Sequence, residues 1–349
     1  MADALRQHYG TEIPARIAAM IRDVHPPFQT KAFLAHALNG YDQLPLLQRG
    51  HRIAHSLKLH LPEPYPAALE ILLASIGSRP ASRPGDGGMA PFLYLPHTHF
   101  VASYGLDHFE YSMQAQYQLT QRFTCEFSMR PFLEQHTEAT LDRLAQWTED
   151  PDAHVRRLVS ECTRTRLPWA RHLKRFQQDP APVLTLLERL KDDSALYVRR
   201  SVANNLNDIG KDNPHILLRT AQDWHVDAQP NRQWIIRHAL RSLTRAGNQE
   251  ALALLGYEQN PEIRIEALRI QPTTVRMGDS VRIEADIRSL AQQTQPLLVN
   301  FALHYCKADG GRRAKVFILG KSSLAAGETV TLGKTISLGS MSTRKHYAG

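Results

Sequence analysis

Asp193-Ser194-Ala195-Leu196-Tyr197-Val198-Arg199-Arg200-Ser201-Val202 is a near copy of Asp150-Pro151-Asp152-Ala153-His154-Val155-Arg156-Arg157-Leu158-Val159. A weaker copy is Gln233-Trp234-Ile235-Ile236-Arg237-His238-Ala239-Leu240, and Pro261-Glu262-Ile263-Arg264-Ile265 is a fainter trace. Val155 and Val198 are 43 residues apart, and Val198 and Ile236 are 38 apart. That period predicts HEAT-like helical hairpins, which bury their apolar faces only by stacking on one another. A stacked array also presents a concave face wide enough for a nucleic-acid duplex.

Within the second copy, Val198, Val202, Leu206 and Ile209 are spaced by four, four and three residues, so they form one buried stripe. Arg200, Asn204 and Asp208 are also four apart and form a separate stripe. Superposing the first copy places Val155, Leu158, Val159 and Cys162 in the core. Arg157 and Glu161 then fall where Arg200 and Asn204 fall. Glu161 and Asp208 therefore project from neighbouring helices onto the same side of the array. The third copy has His238 and Ser242 on that side and no acid.

Upstream, residues 12–24, 44–59, 65–78 and 113–124 read as helices separated by Pro and Gly breaks, and residues 78–88 read as a loop. The character changes at Gln271-Pro272. Residues 281–288, 297–305, 316–321 and 329–338 alternate or cluster like strands, with Gly310-Gly311 and Gly327 at turns. The expected fold is mainly α: an α-α superhelix of HEAT-like repeats over 1–270, followed by a small Ig-like β-sandwich over 271–349. Four or five strands are visible before Gly349, so the sandwich is expected to lack an edge strand, its last strands falling around Arg344–Gly349.

The 349 residues carry a formal net charge of +8, a balance that suits a polyanionic partner without identifying one. No apolar run approaches a membrane span, and the first residues lack a signal-peptide apolar region. Cys125, Cys162 and Cys306 lie too far apart in sequence for a disulfide framework or a CxxC metal site. These features point to a cytoplasmic protein. From His154 to Arg175, Arg156, Arg157, Arg164, Arg166, Arg171, Lys174 and Arg175 face a single acid, Glu161. Such a run is ordinarily a solvated helix face. Here it contains Trp169 and has its one acid in the middle.

Carboxylates on a basic concave face repel phosphates. One explanation is that they pair with Arg157, Arg164 or Arg200 and only orient them. The other is chemistry at a glycosidic bond. Hydrolysis of an N-glycosidic bond passes through an oxocarbenium-like sugar, which a carboxylate stabilises, while a second carboxylate orients or deprotonates water. A base that already carries positive charge needs no general acid to leave. Pro168 is expected to end the helix, so that Trp169 opens a turn or the next element. A Trp is more often core than ligand, but an aromatic among arginines can stack on a nucleotide. Trp224 and Trp234 read as packing residues. His97-Thr98-His99 and His51/His55 lack the further ligands that a metal site needs. No lysine falls on the acid stripe, which argues against Schiff-base lyase chemistry. The basic stretch Gly310-Gly311-Arg312-Arg313-Ala314-Lys315 reads equally as a phosphate contact or an exposed hairpin.

The stretch Tyr197 to Pro214 resembles the hallmark helix of the AlkC/AlkD DNA glycosylases. Val155-Arg156-Arg157-Leu158-Val159-Ser160-Glu161, Arg166-Leu167-Pro168-Trp169 and Cys125-Glu126-Phe127-Ser128-Met129-Arg130-Pro131-Phe132 resemble the AlkC branch, as does the order of helical repeats before an Ig-like domain. The resemblance spans nearly the whole chain. It implies excision of cationic lesions, 3-methyladenine and 3-methylcytosine, from duplex DNA. The chain is expected to be a monomer, and with no phosphate-binding Gly loop or Rossmann fingerprint no nucleotide or metal cofactor is expected. It further implies that Glu126, Glu161 and Asp208 are the active-site acids and that Trp169 sits near the lesion. Arg157, Arg164, Arg166, Arg199, Arg200, Asn204, Lys211, Arg312 and Arg313 are the expected DNA contacts. The alternative is a noncatalytic helical-repeat DNA-binding or scaffold protein.

Overall fold

A computed structural model of the protein describes residues 7–78, 88–257, 260–276 and 278–339. Most of the loop expected at 78–88, and the strand ends expected around 344–349, lie outside the described residues. In chain order the helices are α1 (Glu12–Val24), α2 (Thr30–Leu38), α3 (Leu46–His60), α4 (Tyr65–Ser75), α5 (Leu95–Tyr104), α6 (Phe109–Thr120), α7 (Arg130–Gln135), α8 (Thr137–Trp147), α9 (Ala153–Cys162), α10 (Lys174–Gln178), α11 (Ala181–Leu190), α12 (Leu196–Asp212), α13 (Pro214–His225), α14 (Pro230–Ala239), α15 (Arg241–Arg245) and α16 (Gln249–Leu254). Five strands follow: β1 (Ile263–Gln271), β2 (Ser280–Ser289), β3 (Gln295–Cys306), β4 (Arg312–Leu324) and β5 (Thr329–Ser337). The chain groups into two compact units. One holds Met1–Asn213 with Ala228–His238, and the other holds Pro214–Asp227 with Ala239–Gly349.

In the first unit the two best copies of the repeat become α9 and α12, which pack against each other, with α11 against both. The apolar stripes read from the spacing are the contact: Val155, Leu158, Val159, Cys162, Val198, Val202, Leu206 and Ile209 are all fully buried or nearly so. The polar residues of the repeat are explained too. Asp150 Oδ1 accepts from Asp152 N and Asp193 Oδ1 from Ala195 N, both at 2.8 Å, closing the same turn before each helix. Arg156 and Arg199 each donate through Nη1 to two carbonyls of that turn, those of Asp150 and Pro151 in one case and of Asp193 and Ser194 in the other. Arg156 also reaches the next repeat, where Nε lies 2.6 Å and Nη2 3.1 Å from the Asp193 carboxylate.

Several helix boundaries differ from the sequence reading: the helix expected at 65–78 ends at Ser75, and that expected at 44–59 is Leu46–His60. The helix expected at 113–124 is Phe109–Thr120, one turn earlier. It ends before Thr124, whose hydroxyl bonds the Glu126 carboxylate instead of continuing the helix. Pro168 does not end the helix of the first repeat: α9 stops at Cys162, where Thr163 Oγ1 bonds back to the carbonyls of Val159 and Ser160.

In the second unit β1 pairs antiparallel with β2, β2 with β5, and β3 with β4. The three-stranded and two-stranded sheets share one core of Val281, Ile283, Ala285, Ile287, Leu297, Leu319, Leu324 and Ile336. Along β2 the buried residues fall at every second position, the period of a strand with one face covered. The residues read as a fourth repeat trace are strand β1, which begins at Ile263 and not beyond Pro272. The Ile-Arg-Ile alternation there has a period of two, and Pro261-Glu262 before it only imitates the repeat's entry turn. Arg312 and Arg313 are also strand residues, opposite Cys306 and Tyr305, and the turn itself is 307–311 with Gly310 at φ 75°.

On α5, His97 and His99 are both buried, and neither ring nitrogen of His97 has a hydrogen-bond partner among the described residues. His99 stacks on His51 of α3 with ring centroids 3.7 Å apart. Burial lowers the pKa of His97 to about 4; burial, then the neighbouring His51, lowers that of His99 to about 3. The unfolded chain takes up protons near pH 6.5 and the folded one does not. Stability is therefore full above that pH and falls as acid is added, by up to about 1.4 kcal/mol per pH unit for each histidine. Thermal melts from neutral pH to about pH 4.5 should show this decline. His97→Leu should make it shallower, and an unchanged slope in that variant would show that His97 does not drive it.

Candidate active site

Glu161 leaves α9 at its last turn and Asp208 leaves α12 after three turns. The packing of these two helices brings both carboxylates onto one guanidinium, that of Arg164. Arg164 Nη1 is 2.7 Å from Glu161 Oε1, while Nε and Nη2 are 2.8 and 2.7 Å from Asp208 Oδ2. Arg157, one turn before Glu161, lies 3.5 Å from Glu161 Oε1 and 2.7 Å from Glu126 Oε2, so the third acid joins through it. Lys211 closes the other end, with Nζ 2.7 Å from Asp208 Oδ1. Three acids and three bases thus form one chain of ion pairs. The acid side chains are 12 % (Glu126), 8 % (Glu161) and 1 % (Asp208) exposed, whereas Lys211 is 44 % exposed. Lys211 is therefore the network member with most room to move.

Burial pushes the Glu161 carboxyl up, but Arg157, Arg164 and the Ser201 hydroxyl outweigh it and hold the pKa below the ordinary carboxylate value. Burial likewise opposes the charge on Arg157. Glu126 and Glu161 overcome it and raise that guanidinium, as Glu161 and Asp208 do for Arg164. The network therefore keeps its charges inside the protein because each is matched.

Several of its supports were not foreseen. Ser201 Oγ donates to Glu161 Oε2 at 2.6 Å. The signal for it lay in the repeat: Ser201 aligns with Leu158, a polar group at a core position. The Tyr197 ring lies under Arg157, 5.2 Å from ring centre to guanidinium carbon. Arg130 Nη1 donates to the carbonyls of Cys162 (3.2 Å) and Arg164 (3.0 Å), and Nη2 to that of Arg171, so one buried side chain ties down the connector between α9 and α10.

The expected DNA contacts separate into two groups. Arg157 and Arg164 are occupied by the acids, Arg166 pairs with Asp212, and Arg199 is spent on its own turn. Arg166 also lowers the Asp212 carboxyl below its ordinary range through hydrogen bonding. Arg200 is exposed and makes no ion pair among the described residues, and Asn204 lies beside His238, with Oδ1 3.3 Å from Nε2. Arg312 and Arg313 belong to the other unit and are exposed on β4. The acid stripe does carry a lysine after all: Lys211 sits one turn beyond Asp208 and reaches back to it. Trp224 is core, at 3 % exposure. Trp169 is the opposite, 60 % exposed and held at φ 67°. A bulky residue in the left-handed region is uncommon and costs free energy. Among the described residues no cluster of three or more His, Cys, Asp or Glu is placed to hold a metal ion, and no helix is long and apolar enough to cross a membrane.

Comparison with known proteins bears on this geometry. Residues 121–243, which contain every member of the ion-pair network, match the family described as DNA alkylation repair enzyme. Residues 264–349 match the C-terminal Ig-like domain of the uncharacterised protein YhaZ. YhaZ of Bacillus subtilis (strain 168) is 37 % identical over 100 % of this chain and 94 % of its own. The chain belongs to the DNA alkylation repair enzyme family. The structure of the Pseudomonas fluorescens alkylpurine DNA glycosylase AlkC, bound to DNA containing an abasic site analogue, superposes with a TM-score of 0.91 at 39 % identity, covering 98 % of this chain and 93 % of that one. The mainly helical fold with a terminal Ig-like domain is thus common to this family member and AlkC.

Trp169 supplies a test of the site's construction. Trp169→Gly removes the left-handed strain and little buried surface, so its melting temperature should equal or exceed that of the wild type, a gain of up to about 1 kcal/mol. A marked loss of stability would show that the indole packs more than its exposure indicates.

Proposed function

We propose that the protein is a DNA N-glycosylase that hydrolyses the N-glycosidic bond of cationic alkylated bases, 3-methyladenine and 3-methylcytosine, in duplex DNA. The observation that carries this reading is the convergence of Glu161 and Asp208, from neighbouring repeats, with Glu126 beside them. A surface built only to hold phosphates gains nothing from three buried acids. A site that must stabilise a cationic sugar needs them held rigidly beforehand. The AlkC match supports the same reading.

In this reading Asp208 and Glu161 face the deoxyribose. As the bond to the base lengthens, positive charge grows on the sugar, and the two carboxylates stabilise it in a site shielded from water. Glu126, the most accessible acid, orients the attacking water and takes its proton. The methylated base leaves as a neutral molecule and needs no proton donor. Trp169 offers an exposed face for stacking next to the lesion. Arg200, Lys211, Asn204, Arg312 and Arg313 contact the DNA. Arg157, Arg164 and Arg166 serve the carboxylates, and Arg199 serves its own turn. The protein acts as a monomer in the cytoplasm.

The reaction is proposed to be monofunctional. Only a free neutral amine forms a Schiff base, and the Lys211 amine is held as the ion-pair partner of Asp208. The product is then an abasic site in an unbroken strand.

Purified protein incubated with alkylated duplex DNA should release free methylated base without nicking the strand. Asp208→Asn should slow release by about 100-fold or more while DNA binding survives. Binding without release by the wild type, under conditions where a control glycosylase works, would favour a noncatalytic DNA-binding protein. Strand nicking that disappears with Lys211→Gln would replace the monofunctional reading by a lyase.

A further inference from the structure

Arg164 is 9 % exposed and lies in the connector after α9. Among the described residues it is the one side chain bonded to both Glu161 and Asp208. Its three guanidinium nitrogens are divided between them: Nη1 to Glu161 Oε1 at 2.7 Å, Nε and Nη2 to Asp208 Oδ2 at 2.8 and 2.7 Å. Its own backbone is anchored, since Arg130 Nη1 holds the Arg164 carbonyl at 3.0 Å. All three of its guanidinium nitrogens therefore face carboxylates, and little of the side chain reaches solvent where a phosphate could meet it.

We propose that Arg164 is the positioning residue of this site: it sets the separation of Glu161 and Asp208 and supplies the positive charge between them, without touching DNA. The inference rests on the glycosylase reading of the same acids. A planar guanidinium can bond two carboxylates at once from a fixed fork, which a lysine ammonium on a flexible stem cannot match. Its charge is needed as well as its shape. Around Glu161 stand Arg157 on its own helix, Tyr197, Ser201 and Asp208 on α12, Glu126 before α7, and Arg130 on α7, with Cys162 next in the chain. Lys211 faces only the far oxygen of Asp208. Without Arg164, burial would favour protonated Glu161, and only Arg157 and the Ser201 hydroxyl would be left to oppose it. A protonated acid cannot stabilise a cationic sugar.

The test is single-turnover release of 3-methyladenine from duplex DNA between about pH 5.5 and about pH 8 by the wild type, Arg164→Lys and Arg164→Gln. Arg164→Gln should be slower by about 10-fold or more near neutrality, with its acid limb moved up by about one pH unit or more. Arg164→Lys should return the acid limb towards the wild-type position while its maximal rate stays low, because one ammonium cannot span both acids. Carboxyl 13C NMR of the DNA-free protein should show Glu161 titrating at higher pH in Arg164→Gln.

A uniform fall in rate with an unmoved acid limb and an unmoved Glu161 titration would overturn the proposal. Full wild-type rate in Arg164→Lys would also overturn it. If Arg164→Gln does not fold, as a melt would show, Arg164→Lys carries the decision: full rate refutes the role and a reduced maximum with a near-wild-type limb supports it. If the wild type itself releases no base at any pH, the glycosylase reading fails, and the carboxyl titration still judges Arg164.

Discussion

Two buried carboxylates on adjacent helices repel one another, and the arrangement persists here because a single guanidinium lies between them. Around that contact the rest of the site is organised. Arg164 can stand between Glu161 and Asp208 only if α9 and α12 keep a fixed register, which the interlocking of Val155, Leu158, Val159 and Cys162 with Val198, Val202, Leu206 and Ile209 provides. It can do so only if the connector carrying it is rigid, which Arg130 provides from α7.

Such a network is an expensive way to hold a protein together. Each charge loses its hydration on burial, and the mutual attraction of a buried pair barely repays that loss; well-packed apolar residues would serve stability as well or better. In the glycosylase reading proposed above, its persistence is explained by what it prepares. Carboxylates fixed in place before a ligand arrives need no reorganisation when positive charge develops near them. The same economy of purpose shows in the arginines. Arg156 and Arg199, at equivalent places in two repeats, staple their own turns, while Arg157 and Arg200, one residue later, diverge. The former meets acids and the latter meets solvent. Trp169 departs from economy altogether, since a strained backbone and an exposed indole both oppose stability.

The two family matches cover both regions of the chain. The match over 121–243 covers all six members of the network. The separate match over 264–349 covers the five-stranded region from its second residue onward, including β1, whose short apolar alternation had passed for another repeat.

Much of the fold was legible in the amino-acid sequence because it rests on periodicity. A spacing of three and four residues defines a helix face wherever the chain goes, so the core stripes of α9 and α12 and the shared side of Glu161 and Asp208 followed from counting. The alternation in β2 defined a half-buried strand in the same way. The repeat even carried the sign of Ser201, a hydroxyl where its partner has Leu158. What counting could not supply is the placement of groups outside regular elements. Arg164 and Trp169 lie in a connector whose path depends on Arg130, 34 residues from Arg164 in the chain. Whether an arginine meets a phosphate or a carboxylate depends on what packing brings beside it. Spacing decides which way a side chain leaves its helix, whereas tertiary structure decides which charge it finds there, and in a buried site that charge determines what the residue can do.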